Sequence, residues 1–184
     1  DWPVEVPSSL VGQIELATQG LRKQFDAAIL VGIGGSFLGA ACILEALRDP
    51  EDAFQLYWLS NVDKTSLEHL KHALKGKKTA LILISKSGNT VETLSALYAT
   101  HSLFDPNAVF AITDPEKGEL RKLSQKFGWK TFPVPTNIGG RFSVLTAVGL
   151  FPSQLGGVSA EALLQGARKM RECLENAKPS ENPA

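Results

Sequence analysis

Nine consecutive residues, Ser85-Lys86-Ser87-Gly88-Asn89-Thr90-Val91-Glu92-Thr93, hold four hydroxyls, an ammonium and a glycine. They follow directly on the aliphatic run Ala80-Leu81-Ile82-Leu83-Ile84, and Val91, Leu94, Leu97 and Tyr98 then recur at helical spacing. The polar stretch therefore lies where a buried strand ends and a helix begins. The free N–H groups of a first helical turn and the helix dipole both favour negative charge at such a place. Ser85, Ser87, Thr90 and Thr93 add hydroxyl donors, and Gly88 lets backbone approach a ligand closely. Capping the helix would need one such hydroxyl, not four. The chemistry this pattern suits is phosphate binding. A Walker loop is not its basis, because G-x-x-x-x-G-K-[ST] does not occur in the chain.

Two further constellations follow predicted strands. Gly32-Ile33-Gly34-Gly35-Ser36-Phe37-Leu38-Gly39 departs from the dinucleotide fingerprint G-x-G-x-x-G by Phe37, and no acidic residue stands at the tip of the strand ending near Leu59. It departs from the nucleophile elbow G-x-S-x-G by Leu38. What remains is a turn that either brings backbone N–H groups and the Ser36 hydroxyl to a polar ligand or packs a strand tightly against a helix. In Thr136-Asn137-Ile138-Gly139-Gly140-Arg141-Phe142-Ser143, two glycines let the backbone turn sharply and direct the Arg141 guanidinium inward. Such a fork suits a phosphate, a carboxylate or a developing oxyanion. His69 and His72 read as solvated and His101 as a helix end, so none is assigned to catalysis. Glu92 and Asp114 read as acids favoured at helix starts, and no two carboxylates present themselves as an acid and base pair.

Positioning these turns requires strands over about 27–33, 54–59, 79–84, 108–113 and 130–134. Helices are predicted from a Ser8 or Ser9 cap to about Phe25, then over 40–48, 63–74, 90–100, from an Asp114-Pro115 start to about 127, 143–151 and 159–177. Five strands alternating with helices predict an α/β, doubly wound, five-stranded parallel sheet with helices on both faces. Ligands of such sheets bind beyond the carboxyl ends of the strands, so the glycine turn and the hydroxyl turn should open on one edge.

At 184 residues the chain reads as a single domain, 1–184, with a core over about 27–152 and a helical extension over 159–177. Lys plus Arg and Asp plus Glu are both 19, which gives no footprint for nucleic acid or a membrane surface. No apolar run is long enough to span a bilayer. Cys42 and Cys173 have neither disulfide nor metal spacing and read as buried small apolar residues in a reducing, cytoplasmic compartment. The chain starts at Asp1 and ends in Pro179-Ser180-Glu181-Asn182-Pro183-Ala184, which reads as a piece of a longer protein.

With these motifs in place, the chain resembles the glucose-6-phosphate isomerase family. Gly32-Ile33-Gly34-Gly35-Ser36-x-Leu38-Gly39 is similar to that family's first glycine motif and Ser85 to Thr93 to its phosphate loop, both shared with the wider sugar isomerase (SIS) fold. Asn137-Ile138-Gly139-Gly140-Arg141-Phe142-Ser143 is similar to the segment specific to the enzyme. The resemblance implies an aldose–ketose isomerase that interconverts glucose 6-phosphate and fructose 6-phosphate through an enediolate, without metal or cofactor. It implies that Ser85, Lys86, Ser87, Thr90 and Thr93 hold the phosphate, that Gly35, Ser36 and Gly140 line the sugar, and that Arg141 steadies the enediolate. It also implies a homodimer in the full-length protein and a second SIS domain supplying the proton-transferring glutamate, a histidine and a lysine, whose motifs are not in this sequence. The expected role is that of an N-terminal SIS domain that binds a small sugar phosphate and is inactive alone. The alternatives are a free-standing sugar-phosphate sensor and a SIS enzyme for amino-sugar phosphates.

Overall fold

Successive residues of a strand face opposite ways, so an aliphatic run with no polar interruption must be covered on both sides. In the computed structural model, which describes residues 6–176, Ala28, Leu30, Ile82, Ile84, Phe110 and Ile112 belong to one buried cluster and Ala27, Ile29, Val31, Leu81, Leu83 and Ala111 to the other. They come from strands β1 (Ala27–Val31), β3 (Thr79–Ser85) and β4 (Val109–Thr113), flanked by β2 (Gln55–Leu59) and β5 (Lys130–Pro133). All pairings are parallel and the order is β2-β1-β3-β4-β5. Every residue of β3 is buried, and each large aliphatic side chain so placed contributes about 1.5–3 kcal/mol.

Among the described residues seven α-helices flank this sheet: α1 (Ser8–Gln24), α2 (Leu38–Leu47), α3 (Lys64–Ala73), α4 (Val91–Ala99), α5 (Glu119–Phe127), α6 (Ala147–Leu155) and α7 (Ala160–Asn176). On one face lie α1, α6 and the start of α7, through Ile14, Leu21, Val148, Phe151 and Leu164, with α2 beside α6. On the other lie α3, α4 and α5, through Leu70, Ala96, Leu97 and Leu120. This is the doubly wound, five-stranded α/β fold expected from the sequence. The chain runs outward from β1 to β2, returns to β3 on the other side of β1, and continues to β4 and β5. The connections after β1 and β3 therefore diverge, and that switch point opens a crevice at the carboxyl edge.

Local readings differ in four places. The helix expected over 143–151 begins instead at Ala147, after Thr146, and runs to Leu155. Neither Ser8 nor Ser9 caps α1; both are helical, Pro7 is the flanking residue, and its carbonyl accepts from Leu10 N–H at 2.9 Å. The Asp114-Pro115 pair does not open a helix. Asp114 Oδ1 accepts from the N–H groups of Glu116 and Lys117, both at 2.9 Å, which closes a separate turn, and α5 begins only after Gly118 at φ 94°. Cys42 and Cys173 are exposed rather than buried. Cys42 is two residues from both Ala40 and Leu44, the buried positions of α2, so it faces away from them. Cys173 lies in the part of α7 beyond Leu164, where none of residues 165–175 is buried. Ala177, the last residue of the predicted extension, lies outside the described residues.

Candidate functional site

The hydroxyl turn leaves β3 at Ser85, which is buried, with its Oγ 2.8 Å from Thr90 Oγ1 and accepting from the Gly88 N–H at 3.1 Å. Ser87 is exposed and its Oγ accepts from the Asn89 N–H at 3.2 Å. Because Thr90 bonds sideways to Ser85, it places no side-chain cap on α4, and the first-turn N–H groups of that helix stay available. Gly88 adopts φ 68°, and a Cβ there would lie 2.9 Å from Thr113 Oγ1. Gly118 must likewise be glycine, since its Cβ would fall 2.3 Å from the Ser87 carbonyl oxygen.

The turn is braced from α5. Glu119 N–H donates to Asn89 Oδ1 and Leu120 N–H to the Gly88 carbonyl, each at 2.9 Å, so two N–H groups left over at the start of α5 hold the turn's shape. Gly118, Asn89 and Thr113 were not singled out from the sequence. A helix expected from Asp114-Pro115 puts Gly118 inside it, so its role had no sequence signal, and Asn89 and Thr113 act through tertiary contact.

After β1 the chain forms a 3₁₀ turn over Gly34–Ser36, and after β5 a second one over Gly140–Phe142. The two meet backbone to backbone. A Cβ on Gly35 would lie 2.3 Å from the Gly140 carbonyl oxygen and 3.2 Å from the Arg141 nitrogen. Ser143 Oγ donates to the Gly140 carbonyl at 2.7 Å, and Thr146 caps α6 by accepting from Val148 N–H at 3.1 Å. Arg141 is exposed, and its guanidinium has no hydrogen bond or ion pair with another described residue. Gly35 and Ser36 are half-buried and Gly140 is exposed beside them.

The hydroxyl turn reaches the arginine loop through Lys86, whose Nζ donates to the Thr136 carbonyl at 3.2 Å and to the Ile138 carbonyl. The fold thus gathers Gly35, Ser36, Ser85, Lys86, Ser87, Thr90, Gly140 and Arg141 around the switch point. Thr93 stands apart from them: it is 1 % exposed and its hydroxyl is enclosed without a hydrogen-bond partner. Asp114, at the end of β4, has its carboxyl held below the ordinary carboxylate range, first by the Glu116 N–H, then by the Lys117 N–H, with smaller help from the charges of Lys117 and Lys86. Among the described residues no group of three or more His, Cys, Asp or Glu gathers to hold a metal ion.

Solved phosphosugar isomerases share this parallel-sheet fold. Tagatose-6-phosphate ketose/aldose isomerase from Escherichia coli superposes over 94% of this chain and 48% of its own with a TM-score of 0.62 at 13% identity. Glucose-6-phosphate isomerase from Chlamydia trachomatis does so over 95% of this chain and 35% of its own with a TM-score of 0.78 at 23% identity. The chain belongs to the phosphoglucose isomerase family, whose sequence model matches residues 18–184. Glucose-6-phosphate isomerase of Acetivibrio thermocellus is 36% identical over 99% of this chain, which spans 45% of the length of that relative.

Proposed function

We propose that this chain supplies the phosphate-binding half of an aldose–ketose isomerase site acting on glucose 6-phosphate and fructose 6-phosphate. The observation that carries the reading is the meeting of three motifs at the β1/β3 switch point, through the Ser85–Thr90 hydroxyl pair, the Gly35–Gly140 contact and the Lys86 bonds to 136–138. Phosphate oxygens take the Ser85, Ser87 and Thr90 hydroxyls and the open N–H groups of α4. Thr93 joins them only if the turn moves to uncover its hydroxyl. The sugar lies along Gly35, Ser36 and Gly140.

In the reaction a base removes the proton from C2 of the open-chain aldose and the electrons pass to the carbonyl oxygen O1 to form an enediolate; the hydroxyl proton of O2 passes to O1, and as O2 becomes the new carbonyl the proton held by the base returns at C1 to give the ketose. The Arg141 guanidinium, unpaired within the described residues, stabilises the negative charge that develops on oxygen. The base, and the groups that open the sugar ring, are supplied outside this chain. The whole protein acts as a homodimer in the cytoplasm, in glycolysis and gluconeogenesis; among the described residues no helix is long and apolar enough to cross a membrane.

An amide-resolved NMR titration of the chain with fructose 6-phosphate and, separately, inorganic phosphate tests this, since it detects a Kd of about 1 mM, roughly 4 kcal/mol. Saturable shifts at Lys86 to Val91 with both ligands, joined by Ser36 and Gly140 with the sugar phosphate alone, are expected. Shifts elsewhere, with none at the hydroxyl turn, would overturn the assignment.

A further inference from the structure

We propose that Lys86 is a positioning residue whose ammonium latches the loop bearing Gly140 and Arg141 onto the hydroxyl turn, so that the phosphate site sets the place of the guanidinium. The inference deepens the isomerase reading and rests on it for its ligand. An ammonium has three donors and no acceptor. In Lys86 two of them are directed at main-chain carbonyls, those of Thr136 and Ile138, which lie 50 and 52 residues further along the chain. The side chain is half-buried; its bond to the Ile138 carbonyl is partly shielded from water, and its bond to the Thr136 carbonyl is exposed.

The segment Lys86 reaches has little structure of its own. Ile138 N–H donates to the Pro135 carbonyl at 3.3 Å, Phe142 N–H to Gly139 at 2.9 Å and Ser143 N–H to Gly140 at 3.3 Å, all within the loop. None of these ties it to the rest of the molecule. The buried Ile138 side chain anchors the loop by packing, and two further contacts hold it near the crevice. Gly35 abuts Gly140 at the backbone, and Lys86 grips the carbonyls two and four residues before Gly140. Gly35 limits how closely the loop can approach, whereas Lys86 holds it from drifting away. A direct phosphate ligand would have to exchange these carbonyl bonds for the anion; a latch keeps them when the anion binds.

The two roles separate in the chain itself with K86M, which keeps an unbranched stem of similar reach and removes the donors, and with K86R, which restores them. In the free protein, the latch predicts that amide exchange at Ile138, Phe142 and Ser143 becomes about tenfold faster in K86M, the scale of a lost charge-assisted hydrogen bond, while the β3 amides are unchanged. In titrations, fructose 6-phosphate should weaken about tenfold, inorganic phosphate less than about threefold, and K86R should return both readouts toward the original values. Unchanged exchange in the loop, or equal loss for the two ligands, overturns the latch. If the original chain binds neither ligand, the isomerase reading fails, and the exchange measurement still decides whether Lys86 holds the loop.

Discussion

Gly35 carries no side chain, and that is what lets the two 3₁₀ turns touch. A Cβ at this position would lie 2.3 Å from the Gly140 carbonyl oxygen, an atom of backbone that has no rotamer by which to retreat. Gly35→Ala is therefore expected to push the Gly140–Phe142 turn outward, cost about 1–3 kcal/mol in a urea melt, and weaken fructose 6-phosphate more than inorganic phosphate. Gly12 offers the contrast, being inside α1 with nothing within 4 Å of its would-be Cβ. Gly12→Ala should raise stability by about 0.5–1 kcal/mol with ligand titrations unchanged. At this scale the sequence pointed to most of the residues that gather, but not to Gly118, Asn89 or Thr113, nor to the separation of Thr93. The Ser85 and Thr90 hydroxyls could be placed at a strand-to-helix turn from local pattern alone. The direction of Lys86 is a rotamer choice set by carbonyls 50 and 52 residues away, and the enclosure of Thr93 depends on packing around α4, so neither had a local signature.

Elements are held to one another away from the crevice by a bidentate ion pair. Arg22 of α1 donates to both oxygens of Asp52, at 2.9 and 2.7 Å, and to the Leu155 carbonyl at the end of α6 at 2.8 Å. Asp52 also accepts from the Phe54 N–H at 3.1 Å just before β2. The Asp52 side chain is 8% exposed, and the Arg22 hydrogen bond is the main reason its carboxyl lies below the ordinary range. A carboxyl whose folded pKa is depressed gives stability that is complete above its unfolded pKa, about 3.9, and is lost as pH falls through the lower folded value. Asp52→Asn is accordingly expected to cost about 1–3 kcal/mol at neutral pH in urea denaturation, with the gap from the original protein narrowing below about pH 4. A gap that stayed constant down to strongly acid pH would contradict the assignment. Element identity was legible where one pattern dominated, as in the aliphatic runs of β1, β3 and β4. It failed at Asp114-Pro115, where a good cap sequence closed its own turn and left the start of α5 to Gly118, whose φ of 94° serves the contact with Ser87. Cap chemistry is local, and the choice between two adjacent uses of it was made by that contact.

For the whole molecule, the decisive matter is which chemical groups border the crevice and which do not. Enolisation needs a base with a pKa near the working pH within reach of C1 and C2. Asp114 is unsuited, because its Oδ1 accepts from two N–H groups and its carboxyl is held below the ordinary range, which lowers its basicity. Glu92 is exposed on the first turn of α4, among the N–H groups assigned above to the phosphate. On the proposed reading the site binds an anion and stabilises charge through Arg141, while neither of these two carboxylates, among the described residues, is placed to move a proton. Since a positioned general base contributes about 10²–10⁴-fold, the chain alone is expected to show negligible isomerisation even where it binds substrate. The measurement is incubation with glucose 6-phosphate in heavy water, following both fructose 6-phosphate formation and loss of the C2 proton by NMR. Following the C2 proton is essential, because exchange there would reveal an enediolate that formed and collapsed without yielding ketose. Neither signal should rise above the enzyme-free control. Exchange at C2 that survives repurification and disappears in Arg141→Ala would mean that a proton-transferring group lies within these 184 residues after all, and would move the search for the base to Glu92.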